Sequence, residues 1–154
     1  QKRQRVEIKE RLGRGKQEQT MTDRNTELCG RIMDLPGKEM PGVPEITKRI
    51  VFGPEKDWPD YVMRCFTLEG SACVPLHTHD WPHYVVTLQG KGELHIEDQV
   101  YDLEAMSWAS VPPNVEHSFV KISSEPFVFL CIVPKYGDVP PGQTHEDSPN
   151  QPCS

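Results

Sequence analysis

His77-Thr78-His79-Asp80-Trp81-Pro82-His83-Tyr84-Val85-Val86-Thr87-Leu88 is the stretch that decides how this chain is read. Only six histidines occur in the 154 residues, and three of them fall within these twelve positions. A fourth, His117, follows Pro112-Pro113-Asn114-Val115-Glu116. On a strand, residues two apart point to the same face, so His77 and His79 are expected to aim at one point. His83 opens a β-branched run just after a Trp-Pro turn, and His117 opens another. Neutral imidazole is the commonest ligand for divalent transition metals. A lone histidine at any of these positions would more often be a satisfied polar residue, but four at these spacings point to a metal site made of His77, His79, His83 and His117. His95, in Gly92-Glu93-Leu94-His95, and His145 lack such company and are expected to be bystanders.

Outward from that stretch the chain is a series of short apolar runs. Ile46–Phe52, Tyr61–Glu69, Cys73–Leu76, His83–Leu88, Gly92–Glu97, Val100–Leu103, Trp108–Val111, His117–Ile122 and Phe127–Val133 are rich in β-branched and aromatic residues. Gly53-Pro54, Gly70-Ser71, Gln89-Gly90-Lys91-Gly92 and Pro112-Pro113-Asn114 punctuate them. Many short strands at close spacing, with no helical runs between them, predict an all-β sandwich or barrel and argue against a parallel α/β sheet.

The apolar residues concentrate between 46 and 136, which predicts one compact domain there. Residues 1–45 form a polar, Pro/Gly-rich N-terminal segment in which helix is disfavoured near Leu35-Pro36-Gly37 and Met40-Pro41-Gly42-Val43-Pro44. Residues 137–154 read as a polar tail. No internal repeat is visible, so a single barrel is expected.

The net charge is -6, unevenly spread. Residues 1–20 carry seven Lys/Arg and three Glu, a net of +4, and the remainder is -10. An acidic domain argues against nucleic acid as a partner, and the basic leader reads as a solvated tail. No apolar run approaches the ~18 residues that span a membrane. The five cysteines, Cys29, Cys65, Cys73, Cys131 and Cys153, are odd in number and form no Cys-x-x-Cys. Free thiols in a reducing compartment are therefore expected, with the cytoplasm as default location.

Gly70 to Gly90 resembles the first sequence motif of the cupin superfamily, and Met106 to Lys121 resembles the second. The match is nearest to small single-domain cupins with an all-histidine site, where His-x-His-x-x-x-His is followed by a fourth histidine 34 residues on. His83 and His117 have that separation. The resemblance spans residues 46–136, including Tyr61-Val62-Met63-Arg64-Cys65-Phe66-Thr67-Leu68-Glu69 and Phe129-Leu130-Cys131-Ile132-Val133-Pro134. The chain departs from the pattern at several places. His83 stands where a carboxylate ligand is usual, Ser71 holds the position of a motif glycine, and Met106, Asn114 and Lys121 replace two glycines and an asparagine. Asn114 is a conservative exchange, because asparagine tolerates the left-handed conformation.

The resemblance implies a jelly-roll β-barrel, often dimeric, with one divalent transition metal ion per chain. Manganese is favoured by the likeness, with iron, nickel, zinc and copper as alternatives. It places Phe129, Cys131 and Val133 inward near the metal, in line with the alternation along Phe127–Val133. Arg64 matches an arginine near the site. Orienting an anionic substrate and forming an ion pair are equally open roles for it. Trp81 and Phe119 flank ligands and either wall a substrate pocket or pack the core. Cys131 is either a residue acting beside the metal or a buried small apolar side chain. Four neutral ligands leave a divalent ion its full charge, and an octahedral ion would keep two positions open. The expected activity is that of a metal-dependent oxidoreductase of dioxygenase type acting on a small organic molecule. A non-redox isomerase or lyase, and a non-catalytic binding module, are the competing readings.

Overall fold

The computed structural model describes residues 28–139. The basic leader, His145 and Cys153 lie outside them, as do the expectations attached to those residues. Ten strands run in chain order: β1 (Gly37–Met40), β2 (Val43–Phe52), β3 (Tyr61–Leu68), β4 (Cys73–His77), β5 (His83–Gln89), β6 (Lys91–Ile96), β7 (Gln99–Glu104), β8 (Trp108–Val111), β9 (His117–Lys121) and β10 (Phe127–Pro134). Three short 3-10 turns, Ile32–Asp34, Pro54–Lys56 and Lys135–Gly137, are the only helical pieces among the described residues. No helix there is long and apolar enough to cross a membrane.

The strands make two antiparallel sheets. One has six strands in the order β1-β2-β3-β10-β5-β8, the other four in the order β4-β9-β6-β7. Consecutive strands β4 and β5 lie in different sheets, as do β8 and β9, so the chain wraps as the jelly roll that the resemblance to cupins implies, within the all-β class that the short strands predict. The sheets face each other as a sandwich and are not hydrogen-bonded into a closed barrel.

Register explains the core. In β3 and β10 the pairs Leu68–Phe127, Phe66–Phe129, Arg64–Cys131 and Val62–Val133 share the inner face. Phe66, Phe119, Phe127 and Phe129 meet there, with the Phe119 and Phe129 rings stacked 4.9 Å apart. Burying each such side chain contributes about 1.5–3 kcal/mol. This plug fills the middle of the sandwich and leaves the polar inner residues at one end of it. A smaller cluster, Val51, Cys65 and Val128 with Ile32 and Leu35 against it, covers part of the outer face of the six-stranded sheet.

The sheet starts earlier than the sequence suggests. Gly37–Met40 forms an edge strand paired with β2, and Pro41-Gly42 is the tight turn between them, with Gly42 at φ +73°. The cysteine expectation is also corrected. Cys29, Cys65 and Cys131 are free, but Cys73 is disulfide-bonded. Cys73 begins β4, an edge strand, and is only half-buried, so its sulfur is within reach of another thiol.

Candidate metal centre

All four predicted ligands converge. Their ligand atoms lie within 4.8 Å of one another. His77 ends β4 and pairs directly with His117 at the start of β9, while His83 opens β5 in the opposite sheet, paired with Val111. The cluster therefore bridges the two sheets. His79 arrives by a different route than strand alternation implies. It sits beyond the end of β4, in the connection to β5. Two contacts bring it in. Asn114 N–H donates to the His79 carbonyl at 2.7 Å, and the imidazole stacks on Trp81 at 4.2 Å with the planes 1° apart. Asn114 has φ +63°, the left-handed conformation expected of it.

The rings are oriented from behind. Nδ1 of His77 lies 2.8 Å from the Pro75 carbonyl, and Nδ1 of His117 lies 2.9 Å from the Val115 carbonyl. In the tautomer that donates Nδ1–H to those oxygens, both Nε2 atoms are acceptors turned into the cluster. Nδ1 of His83 lies 2.9 Å from Cys131 Sγ. Its Nε2 is 2.7 Å from Nε2 of His79. Two imidazole acceptors at that distance require a shared proton or a cation between them.

Burial keeps the rings neutral. It pushes the His79 pKa down to about 4 and that of His117 down to about 3, each further lowered by neighbouring His77. It lowers His77, and together with the Arg64 charge it holds His83 well below the usual histidine value. Neutral imidazole is the form that binds metal, so protons compete poorly for these ligands at neutral pH. Nε2 of His117 is buried without any hydrogen-bond partner. An unpartnered acceptor facing three more imidazoles suits a cation bound among them. The donor set thus fits a metal ion, which His77, His79, His83 and His117 would hold.

The other predicted residues fall around this centre. Trp81, Phe119, Phe129 and Val133 all lie in the main buried apolar cluster. Trp81 backs His79, and Phe119 stands edge-on to His117 at 6.4 Å. Cys131 is buried, and burial raises its thiol pKa against the lowering effect of Arg64. Arg64 is also buried. Its Nη2 donates to Cys131 Sγ at 3.2 Å, its Nη1 lies 3.5 Å from Asp138 Oδ1, and the guanidinium covers the Phe66 ring at 5.0 Å. Of the two roles open to Arg64, an ion pair is thus the one visible. His95 faces the other side of the four-stranded sheet, paired with Ser118 and bonded to Glu93 at 2.9 Å, so it is the bystander expected.

Sequence reasoning missed Lys48 and Asp138. Lys48 Nζ lies 3.0 Å from Asp138 Oδ1, across ninety residues of chain. It also missed the way Lys135–Val139 folds back. Tyr136 stands edge-on to Trp81, Val139 packs on the core, and Gly137 approaches so closely that a Cβ there would lie 2.7 Å from the Trp81 ring.

Comparison with known proteins agrees with this geometry. Residues 65–133, which hold all four histidines, match the family model of the cupin domain. No curated protein matches the chain. Among solved structures, the polyketide cyclase RemF from Streptomyces resistomycificus is 21% identical with TM-score 0.63, over 71% of this chain and 80% of that one. A cupin-2 domain from Rhodospirillum rubrum is 23% identical with TM-score 0.60, over 74% and 77%. A predicted oxalate decarboxylase from Thermotoga maritima is 17% identical with TM-score 0.60, over 68% and 96%. At these identities the likeness establishes the cupin jelly-roll fold.

Proposed function

We propose that this protein is a metal-dependent oxidoreductase of dioxygenase type, acting on a small organic substrate with one divalent transition metal per chain, manganese foremost. The observation that carries this reading is the convergence of four neutral imidazoles, three buried and His77 half-buried, without a carboxylate. A metal bound there supplies Lewis acidity and, for manganese or iron, redox chemistry at coordination positions the imidazoles leave open. The chain's own residues do the rest. His77 is the least buried ligand and marks the side from which a substrate approaches. The phenylalanine plug beyond the opposite side excludes water and blocks entry there. Trp81 and Phe119 fix the ligand rings and wall the site. Arg64, neutralised by Asp138, serves to hold Cys131 in place.

Elemental analysis of the purified protein, followed by oxygen-uptake assays on Mn(II)- and Fe(II)-loaded protein with enolates, catechols, flavonols and diketones, tests the reading. Metal at one per chain and oxygen consumption with one of these classes are expected. Turnover that persists with Zn(II) and without oxygen would replace it with a Lewis-acid isomerase or lyase. Absence of any turnover would leave a binding module. We also propose that the chain works as a homodimer, on the strength of an apolar stripe exposed on the six-stranded sheet: Tyr84, Val86, Leu88 and Trp108.

A further inference from the structure

His83 differs from its partner ligands in how it is aimed. His77 and His117 each have a backbone carbonyl behind Nδ1, fixed by the fold. His83 has a side chain there, Cys131 Sγ at 2.9 Å. Its ring rotation therefore depends on where that sulfur stands. The sulfur is held by Arg64 Nη2 at 3.2 Å, and the same guanidinium reaches Asp138 Oδ1 through Nη1 at 3.5 Å. A guanidinium is a rigid planar fork, so fixing one arm fixes the direction of the other. Arg64 is 5% exposed, and a buried cation without a carboxylate is strongly disfavoured. Asp138 is the carboxylate paired with it, delivered by the turn that closes the end of the sandwich.

We propose that Asp138 is a positioning residue of the metal centre, acting through the Arg64 fork and the Cys131 sulfur on the orientation of His83. The proposal rests on reading the four histidines as a metal site. Residues that orient metal-bound histidines typically change metal affinity by about 10–100-fold when replaced. Asp138 acts at two removes, so Asp138→Asn is expected to weaken Co(II) binding about tenfold and to shift the visible absorption of the bound Co(II).

The experiment uses the full chain and Co(II), with affinity from chelator competition and geometry from the visible spectrum. Variants are Asp138→Asn, Cys131→Ala, the double variant, Arg64→Lys and Lys48→Met. Asp138→Asn combined with Cys131→Ala is expected to bind no more weakly than Cys131→Ala alone, because the two act in series. Arg64→Lys keeps the charge opposite Asp138 but loses the fork, and is expected to give the Cys131→Ala spectrum even if Asp138→Asn fails to fold. Lys48→Met leaves the Asp138–Arg64 pair in place and is expected to bind Co(II) within about twofold of the unaltered protein. Additive losses in the double variant, or an unaltered spectrum in Arg64→Lys, overturn the proposal. Failure of the unaltered protein to bind Co(II) overturns the metal reading itself.

Discussion

His77 and His117 stand directly opposite each other in the β4–β9 ladder, with ring centroids 4.3 Å apart. Each is backed by the carbonyl of the residue two before it, so both present the same nitrogen to the same point. The fold thus builds half of the centre from one cross-strand pair. His117→Ala is expected to abolish stoichiometric metal binding. The unaltered protein should gain about 2.7 kcal/mol, and several degrees in Tm, at a hundredfold excess of metal over Kd. The variant's Tm should not respond. One metal per chain retained in His117→Ala would remove that residue from the ligand set.

The same burial that keeps the ligands neutral makes the metal-free protein sensitive to acid. The folded pKa values of His79 and His117, about 4 and about 3, lie below the ordinary histidine value near 6.5. The unfolded chain therefore takes up protons first as the pH falls. The stability tied to these groups is complete above about pH 6.5 and declines through the window down to pH 4 and then 3. Denaturant melts of metal-free protein should show the midpoint falling steadily over that range. A midpoint constant from pH 7 to pH 4 would contradict the burial argument.

Met106 sits at φ +73° on an exposed turn between β7 and β8. Outside glycine and asparagine this conformation costs roughly 1–2 kcal/mol. The side chain is almost wholly in solvent and offers little packing in return. Met106→Gly is therefore expected to stabilise the protein by about 1 kcal/mol, offset in part by the greater freedom of glycine in the unfolded chain. Asn114→Gly, at φ +63°, should change stability little, since asparagine already accepts that conformation. Thermal melts of the two variants separate these expectations. Equal effects would mean that backbone strain does not govern them.

Most of this architecture was legible because periodicity carries it. Alternation along Phe127–Val133 marks Phe127, Phe129, Cys131 and Val133 as inward, and the structure buries all four. The four ligands were legible from spacing, although His79 joins them through Asn114 and Trp81 and not through the strand face that spacing suggested. What stayed hidden has physical reasons. Gly37–Met40 is an edge strand exposed at every position but Met40, so it shows no alternation, and Pro41-Gly42 reads as a breaker until its turn geometry is seen. Asp138 lies in a polar stretch, and its partners Lys48 and Arg64 belong to distant strands, so only folding brings a reason to notice it. The bond at Cys73 carries no local signal at all, because disulfide pairing depends on spatial and not sequence distance.

Trp108 pairs with Val86 across the β5–β8 ladder, and both point away from the core. Trp108 is 78% exposed, and Tyr84 and Leu88 extend the stripe along β5. β8 is also the last strand of its sheet, so its outer edge has no partner strand within the described chain. Contiguous exposed apolar surface beside an open strand edge is a feature that single chains usually avoid and interfaces use. Trp108→Lys should therefore convert a dimer to a monomer in light scattering at micromolar concentration. The fold should survive, since the ring contributes little to the core, and circular dichroism would verify it. An unaltered protein that is already monomeric at that concentration would refute the homodimer, and a variant that stays dimeric would move the interface elsewhere.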